Sequence, residues 1–166
     1  MTARTIALVR SVALAAPASL MYLLVAPMVC RYLDGRFGFT DWDSHWLAIP
    51  GALLLVPGIA LAVWTLVLFG VKGHGTPNPL MPPRRLVQAG PYRYSRNPMM
   101  LGGWLAGFGL GLVLHSPSYL LFCGGIVAAG MIYVIAFEEP SLIRRFGAEY
   151  SEYRQTTPRW VRFHCA

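Results

Sequence analysis

The sequence predicts an all-α integral membrane protein. Four transmembrane helices are expected, with a cytoplasmic cofactor-binding loop between the second and third and an interfacial amphipathic helix at the C-terminal end. Three observations carry that prediction. Of 166 residues, 55% are hydrophobic and only 13% charged, whereas about a quarter of a soluble domain is charged. Four runs carry no charge at all: Ser11 to Cys30, Trp46 to Val71, Met99 to Leu114 and Ser118 to Phe137. Finally, 12 of the 14 Lys and Arg fall at the two ends of the chain or in one internal loop.

A span needs about 20 residues. The first, second and fourth runs hold 20, 26 and 20, and the third holds 16. The short one gains length by starting at Pro98, or is met by local thinning of the bilayer at modest cost. Arg4 and Arg10 precede the first run. Ala13-Leu14-Ala15 resembles a signal-cleavage site, but cleavage there would leave too short an apolar stretch after Arg10 for a signal peptide.

The loop between the first two runs is acidic-leaning, with Arg31 and Arg36 set against Asp34, Asp41 and Asp43. The next loop, Lys72 to Pro98, holds Lys72, Arg84, Arg85, Arg93 and Arg96, and the tail holds Arg144, Arg145, Arg154, Arg159 and Arg162. Basic residues gather on the cytoplasmic side, so both termini and the 72–98 loop are expected there. Net charge is +7, but the positive residues form no single soluble patch, and nucleic acid is not an expected partner. The lipid bilayer is. Cys30, Cys123 and Cys165 are odd in number and widely spaced, which suits neither a disulfide framework nor a metal site.

Residues 1–71 then form two N-terminal spans, and residues 72–166 form the loop, a transmembrane hairpin and the tail of the same single domain. Four prolines in "GTPNPLMPPRR" (75–85) make a stiff connector, and the apolar and aromatic residues around it favour folding back onto the hairpin. The hairpin is rich in glycine; Gly103, Gly107 and Gly111 repeat at spacing four, which lets helices approach closely. A ligand approaching that face is the alternative. Pro140 disfavours helix at Glu139, so the last span should end or bend there. Ser141 then caps a second helix with Leu142, Ile143, Phe146, Tyr150 and Tyr153 on one face.

Chemistry is expected where the hairpin's two cytoplasmic ends meet. Arg96-Asn97-Pro98 opens the third span and Glu138-Glu139-Pro140 closes the fourth. Two adjacent acids at the edge of hydrocarbon require compensation. Either Arg96, Arg144 or Arg145 neutralises them, or they bind a cationic or polyhydroxylated ligand in a pocket lidded by "GPYRYSRNPMM" (90–100).

The set Gly90-Pro91-Tyr92, Arg96-Asn97-Pro98, Glu138-Glu139, Leu142, Phe146-Gly147, Tyr150 and Tyr153 resembles the isoprenylcysteine carboxyl methyltransferase and phospholipid methyltransferase superfamily. The likeness covers roughly residues 75–160. It implies a membrane enzyme that takes S-adenosylmethionine from the cytosol and methylates a lipophilic acceptor. Carried over by position, it implies a cofactor pocket of Arg85, Leu86, Val87, Gly90, Tyr92, Arg96, Asn97, Pro98, Met100, Glu138 and Glu139, with Arg96 and the two acids closest to the chemistry. Asn97 stands where the prenylcysteine enzymes have histidine, a form similar to the Asn-Pro-Met-Tyr of phosphatidylethanolamine methyltransferases, and Met100 stands in the tyrosine's place. The stretch Met131 to Phe137 lacks the basic residue that precedes the acidic pair in the prenylcysteine enzymes, which argues against that acceptor. Two other classes share the scaffold: an NADPH-dependent sterol reductase and a non-catalytic membrane protein. Methyl transfer from a sulfonium requires no dedicated metal, and none is expected.

Overall fold

The structure is a computed structural model, and it describes residues 13, 16–39, 45–68, 71 and 86–161. Among them there is helix, turn and extended chain but no strand. We number the helices α1 (Ala16–Phe37), α2 (Ala48–Leu68), α3 (Pro98–Val113), α4 (Pro117–Phe146) and α5 (Ala148–Thr156).

Helices α1, α2 and α4 are long and apolar enough to cross a membrane, and α3 is the shorter one. At 1.5 Å per residue α2 extends about 32 Å and α3 about 24 Å. Large apolar side chains such as Leu53, Val56, Leu121, Ile132 and Phe137 stand exposed, as lipid-facing residues do.

Glycine decides how the helices pack, though not on the face that spacing four suggested. A Cβ on Gly58 would lie 2.4 Å from the Ala106 backbone nitrogen, and one on Gly109 would lie 2.4 Å from that of Leu55. Gly102 would meet Ala62 at 2.7 Å and Gly51 the Gly109 carbonyl at 2.8 Å. The contact stripe is therefore Gly102, Ala106 and Gly109 against Gly51 and Gly58, backbone on backbone between α3 and α2. Of the expected Gly103/Gly107/Gly111 set, Gly103 faces open space, Gly107 receives the Tyr22 hydroxyl and Gly111 receives Leu120. Those two do separate α3 from its other neighbours, α1 and α4.

Helix α1 joins α4 by polar contacts at two places along its length. The Tyr119 hydroxyl donates to the Tyr22 carbonyl at 2.7 Å, inside a π-helical turn, Met21–Val25. At the far end of α1, buried Asp34 accepts from the Ser116 hydroxyl and from the Ser118 backbone N–H at 3.0 Å. Asp34 thereby caps the start of α4, where free N–H groups need acceptors.

At its C-terminal end helix α4 overturns one of the two expected outcomes, an end at Pro140. It does not stop at Pro140; it runs on to Phe146 through a π turn, Val134–Glu138. The Glu139 N–H bonds to the Val134 carbonyl, five residues back, and this wider turn accommodates a proline that lacks a donor and crowds the preceding turn. The break comes instead at Gly147, with φ +53° and ψ −121°, a conformation open to glycine. The single amphipathic helix expected after Ser141 is thus two pieces. Tyr150 and Tyr153 on α5 are buried in the protein, so they do not form a face laid on the bilayer.

Candidate functional site

The site is built at the C-terminal end of α4 and the N-terminal end of α3. Residues Leu86 to Ala89 approach in extended form, and Gly90–Arg93 makes one 3-10 turn. Gly90 has φ +61°, and a Cβ there would also sit 2.9 Å from Leu68 at the end of α2. That turn buries Tyr92 at 5% exposure. The Tyr153 hydroxyl donates to the Tyr92 carbonyl at 2.6 Å, tying α5 to the turn.

Arg96 and Glu139 meet directly. Arg96 Nη1 lies 2.7 Å from Glu139 Oε1, with side chains 8% and 7% exposed. The same nitrogen donates to the Tyr150 hydroxyl at 3.1 Å. Arg159 closes a fork on the acid from the other side, Nε to Oε1 at 2.8 Å and Nη2 to Oε2 at 2.9 Å. An ion pair this enclosed is held by charge-assisted bonds rather than by bulk attraction.

The expected pocket between Arg96 and the acidic pair is corrected by that contact. The guanidinium touches Glu139 instead of facing it across a gap, so for Glu139 the neutralising alternative is the one realised, with Arg159 joining Arg96. Glu138 differs. It is half-buried, and among the described residues no hydrogen bond or ion pair engages its carboxylate. It lies close enough to Tyr92 and Tyr150 that its charge helps raise both phenols. Burial is the main cause for each of these tyrosines, as for Tyr153, because it disfavours the phenolate. Arg159 is pushed up, first by its bonds to Glu139.

One more polar atom in the site lacks a partner. Arg96 Nε is buried and bonds to nothing among the described residues.

The chain after α5 returns across the site as a short strap. The Arg96 N–H donates to the Pro158 carbonyl at 2.9 Å, and the Ser95 hydroxyl and Asn97 amide both donate to the Arg159 carbonyl, at 3.2 and 3.1 Å. Trp160 packs on Trp104 of α3 with ring centroids 4.7 Å apart.

Of the residues carried over by resemblance, Tyr92, Arg96, Asn97, Pro98, Glu138 and Glu139 gather at this end. Asn97 spends its amide on the strap, and Pro98 is buried in the first turn of α3. Val87 is buried and Leu86 half-buried beside the Gly90 turn. Met100 lies one turn into α3, where its methyl would be 2.8 Å from a Cβ added to Gly130. Arg85 lies outside the described residues, as does the Pro-rich connector. Sequence reasoning missed Arg159, which it counted as topogenic charge, and it read Tyr150 and Tyr153 as a lipid-facing stripe. Thr157-Pro158 following the last helical residues was the available signal that the chain turns there.

A family model described as phospholipid methyltransferase matches residues 46–149. The chain belongs to the phospholipid methyltransferase family. The matched stretch runs from the turn before α2 to the start of α5, so it includes Arg96, Glu138 and Glu139. No curated protein matches the chain. Membership of a membrane methyltransferase family agrees with the three membrane-length apolar helices, and the phospholipid methyltransferase chain is an integral membrane protein.

Proposed function

We propose that this phospholipid methyltransferase family member transfers a methyl group from S-adenosylmethionine to a lipophilic acceptor reached from the bilayer. The family description favours a lipid headgroup amine as that acceptor. The observation that carries the reading is a matched pair of groups in one site without a bonding partner among the described residues: a buried guanidinium donor, Arg96 Nε, and the carboxylate of Glu138. The amino-acid end of S-adenosylmethionine offers a carboxylate to the first and an ammonium to the second. The residues present therefore fit the cofactor.

In this reading Arg96 pairs with the cofactor's carboxylate and Glu138 with its ammonium or a ribose hydroxyl. Tyr92 lies beside the adenine, and backbone groups between Leu86 and Gly90 meet the polar edge of the base. When bound, S-adenosylmethionine supplies an electrophilic methyl group on a sulfonium. The chain's own contribution is to hold acceptor and methyl carbon in line in a site that excludes water. An amine acceptor must shed a proton, and the carboxylate of Glu138, where it meets a ribose hydroxyl rather than the ammonium, is a group able to take it.

All four apolar helices cross the bilayer in this proposal, α3 with local thinning. The site end carries Arg93, Arg96, Arg144, Arg145, Arg154 and Arg159, against Arg31, Asp34 and Arg36 at the other. That imbalance favours a cytosolic site, on the side from which the cofactor comes.

The test is cofactor titration of the purified full chain in detergent micelles. Saturable binding of S-adenosylmethionine, with transfer of labelled methyl into a lipid extract, is expected. Preference for NADPH would move the chain to the reductase class, and binding of neither would leave a non-catalytic membrane protein.

A further inference from the structure

Residues 157–160 lie beyond the stretch that the family model matches, yet Arg159 supplies two of the three hydrogen bonds to the buried acid among the described residues. Arg159 occupies Oε1 and Oε2 of Glu139 together. Arg96 is left with one bond to that acid, through Nη1. Among the described residues its Nε is left with none.

This division is not what a guanidinium and a carboxylate do alone. Their preferred meeting is a fork, two parallel N–H bonds to two oxygens. If Glu139 were open on the Arg159 side, Arg96 would be free to close its own fork on both oxygens and consume Nε. The strap also fixes where Arg96 starts, because the Arg96 N–H is bonded to Pro158 and its neighbours Ser95 and Asn97 to Arg159.

We infer that Arg159 is a positioning residue for the cofactor site, working through Glu139: by filling the acid's oxygens it holds Arg96 to a single bond and keeps Nε available for the cofactor's carboxylate. The two adjacent acids then have separate tasks. Glu139 is the internal anchor that sets Arg96, and Glu138 is the carboxylate that meets the ligand. This rests on the S-adenosylmethionine reading above and adds to it a residue from the tail.

The experiment compares wild type, Arg159→Ala and Arg159→Lys as full chains in micelles, with two readouts: Tm without ligand and Kd for S-adenosylmethionine. Lysine keeps the positive charge beside Glu139 but is a point charge that cannot span two oxygens as a fork. The alanine variant is expected to lose stability and to bind the cofactor about tenfold more weakly or worse, the worth of one charge-assisted hydrogen bond. The lysine variant is expected to recover most of the Tm while affinity stays low, and it decides the matter if the alanine variant does not fold. Wild-type affinity in either variant would overturn the inference, because Arg159 would then be a stability residue only. So would a lysine variant that fails to fold. A wild-type chain that binds no S-adenosylmethionine at all would overturn both this inference and the function on which it rests, which separates the two failures.

Discussion

The Tyr153 hydroxyl donates to the Tyr92 carbonyl at 2.6 Å, across 61 residues of sequence, with both residues buried. This bond joins the loop before α3 to the helix after α4, and it sits beside the Arg96 and Glu139 pair without being part of it. Removing it leaves a buried carbonyl with one fewer donor, a loss of about 1–3 kcal/mol. Tyr153→Phe should therefore lower Tm in micelles by several degrees. Because the bond also holds Tyr92 in place, S-adenosylmethionine affinity should fall with it. An unchanged Tm would mean that water or another donor replaces the hydroxyl.

A second prediction separates packing glycines from idle ones. A Cβ at position 58 meets backbone atoms of α3 at 2.4 and 2.8 Å, and backbone cannot swing aside as a side chain does. Gly58→Ala should cost about 1–3 kcal/mol or more as overpacking, read as lower resistance to unfolding in SDS. Gly103→Ala meets nothing within 4 Å, and it should be neutral or gain up to about 1 kcal/mol from helix propensity. Equal effects at the two positions would contradict the packing of α3 on α2.

Both glycines were visible in the sequence, and so was a small-residue rule. What the sequence could not supply was the face. Five glycines in α3 leave more than one small stripe, and only the partners Gly51 and Gly58 on α2 choose among them. The same lack of a partner hid Arg159. A tail arginine counts as positive charge until the chain is known to double back. Three membrane-length apolar helices, the meeting of residues 96 and 139, and the family likeness were legible because each rests on local pattern or on residues flanking a short hairpin. Continuation of α4 past Pro140 was not, since a π turn has no residue signature that outweighs a proline.

Asp34 tests whether the two ends of the bundle are independent. It caps α4 from α1 and stands 23 residues of helix, roughly 35 Å, from Glu139. Asp34→Ala removes the acceptor for the Ser118 N–H and the Ser116 hydroxyl, at a cost of about 1–2 kcal/mol. Lower Tm with unchanged Kd for S-adenosylmethionine is expected. A weakened Kd at full occupancy of the folded state would show that capping at one end is felt at the other.

Stability should also fall in strong base for a stated reason. The phenols of Tyr92, Tyr150 and Tyr153 are all raised by burial, while in the unfolded chain each ionises near about pH 10. Below that pH both states keep the protons and these groups confer no pH dependence. Above it the unfolded state sheds protons that the folded state retains, so stability declines as pH rises. Tm should be level from neutral pH to about 9.5 and then drop. Replacing the three by phenylalanine should flatten the drop while lowering the plateau. An undiminished drop would assign it to other groups.

The two acids give the sharpest contrast, because they are neighbours in sequence and unlike in surroundings. Glu139→Gln takes the charge from a carboxylate that two guanidinium groups share. Breaking a buried pair costs about 3–5 kcal/mol, and the lower end applies here because Arg159 is 33% exposed and can turn to water. Glu138→Gln removes no bond to any described residue and relieves repulsion between adjacent carboxylates, so its Tm should hold or rise slightly. Its cofactor affinity should nonetheless fall about tenfold, about 1.4 kcal/mol, since the ammonium or ribose loses its charged partner. Measured together, one variant should be unstable and the other stable but weak in binding. If Glu138→Gln binds S-adenosylmethionine as tightly as wild type, then the carboxylate without a partner among the described residues is not the ligand's partner either, and the site must contact the cofactor through other groups.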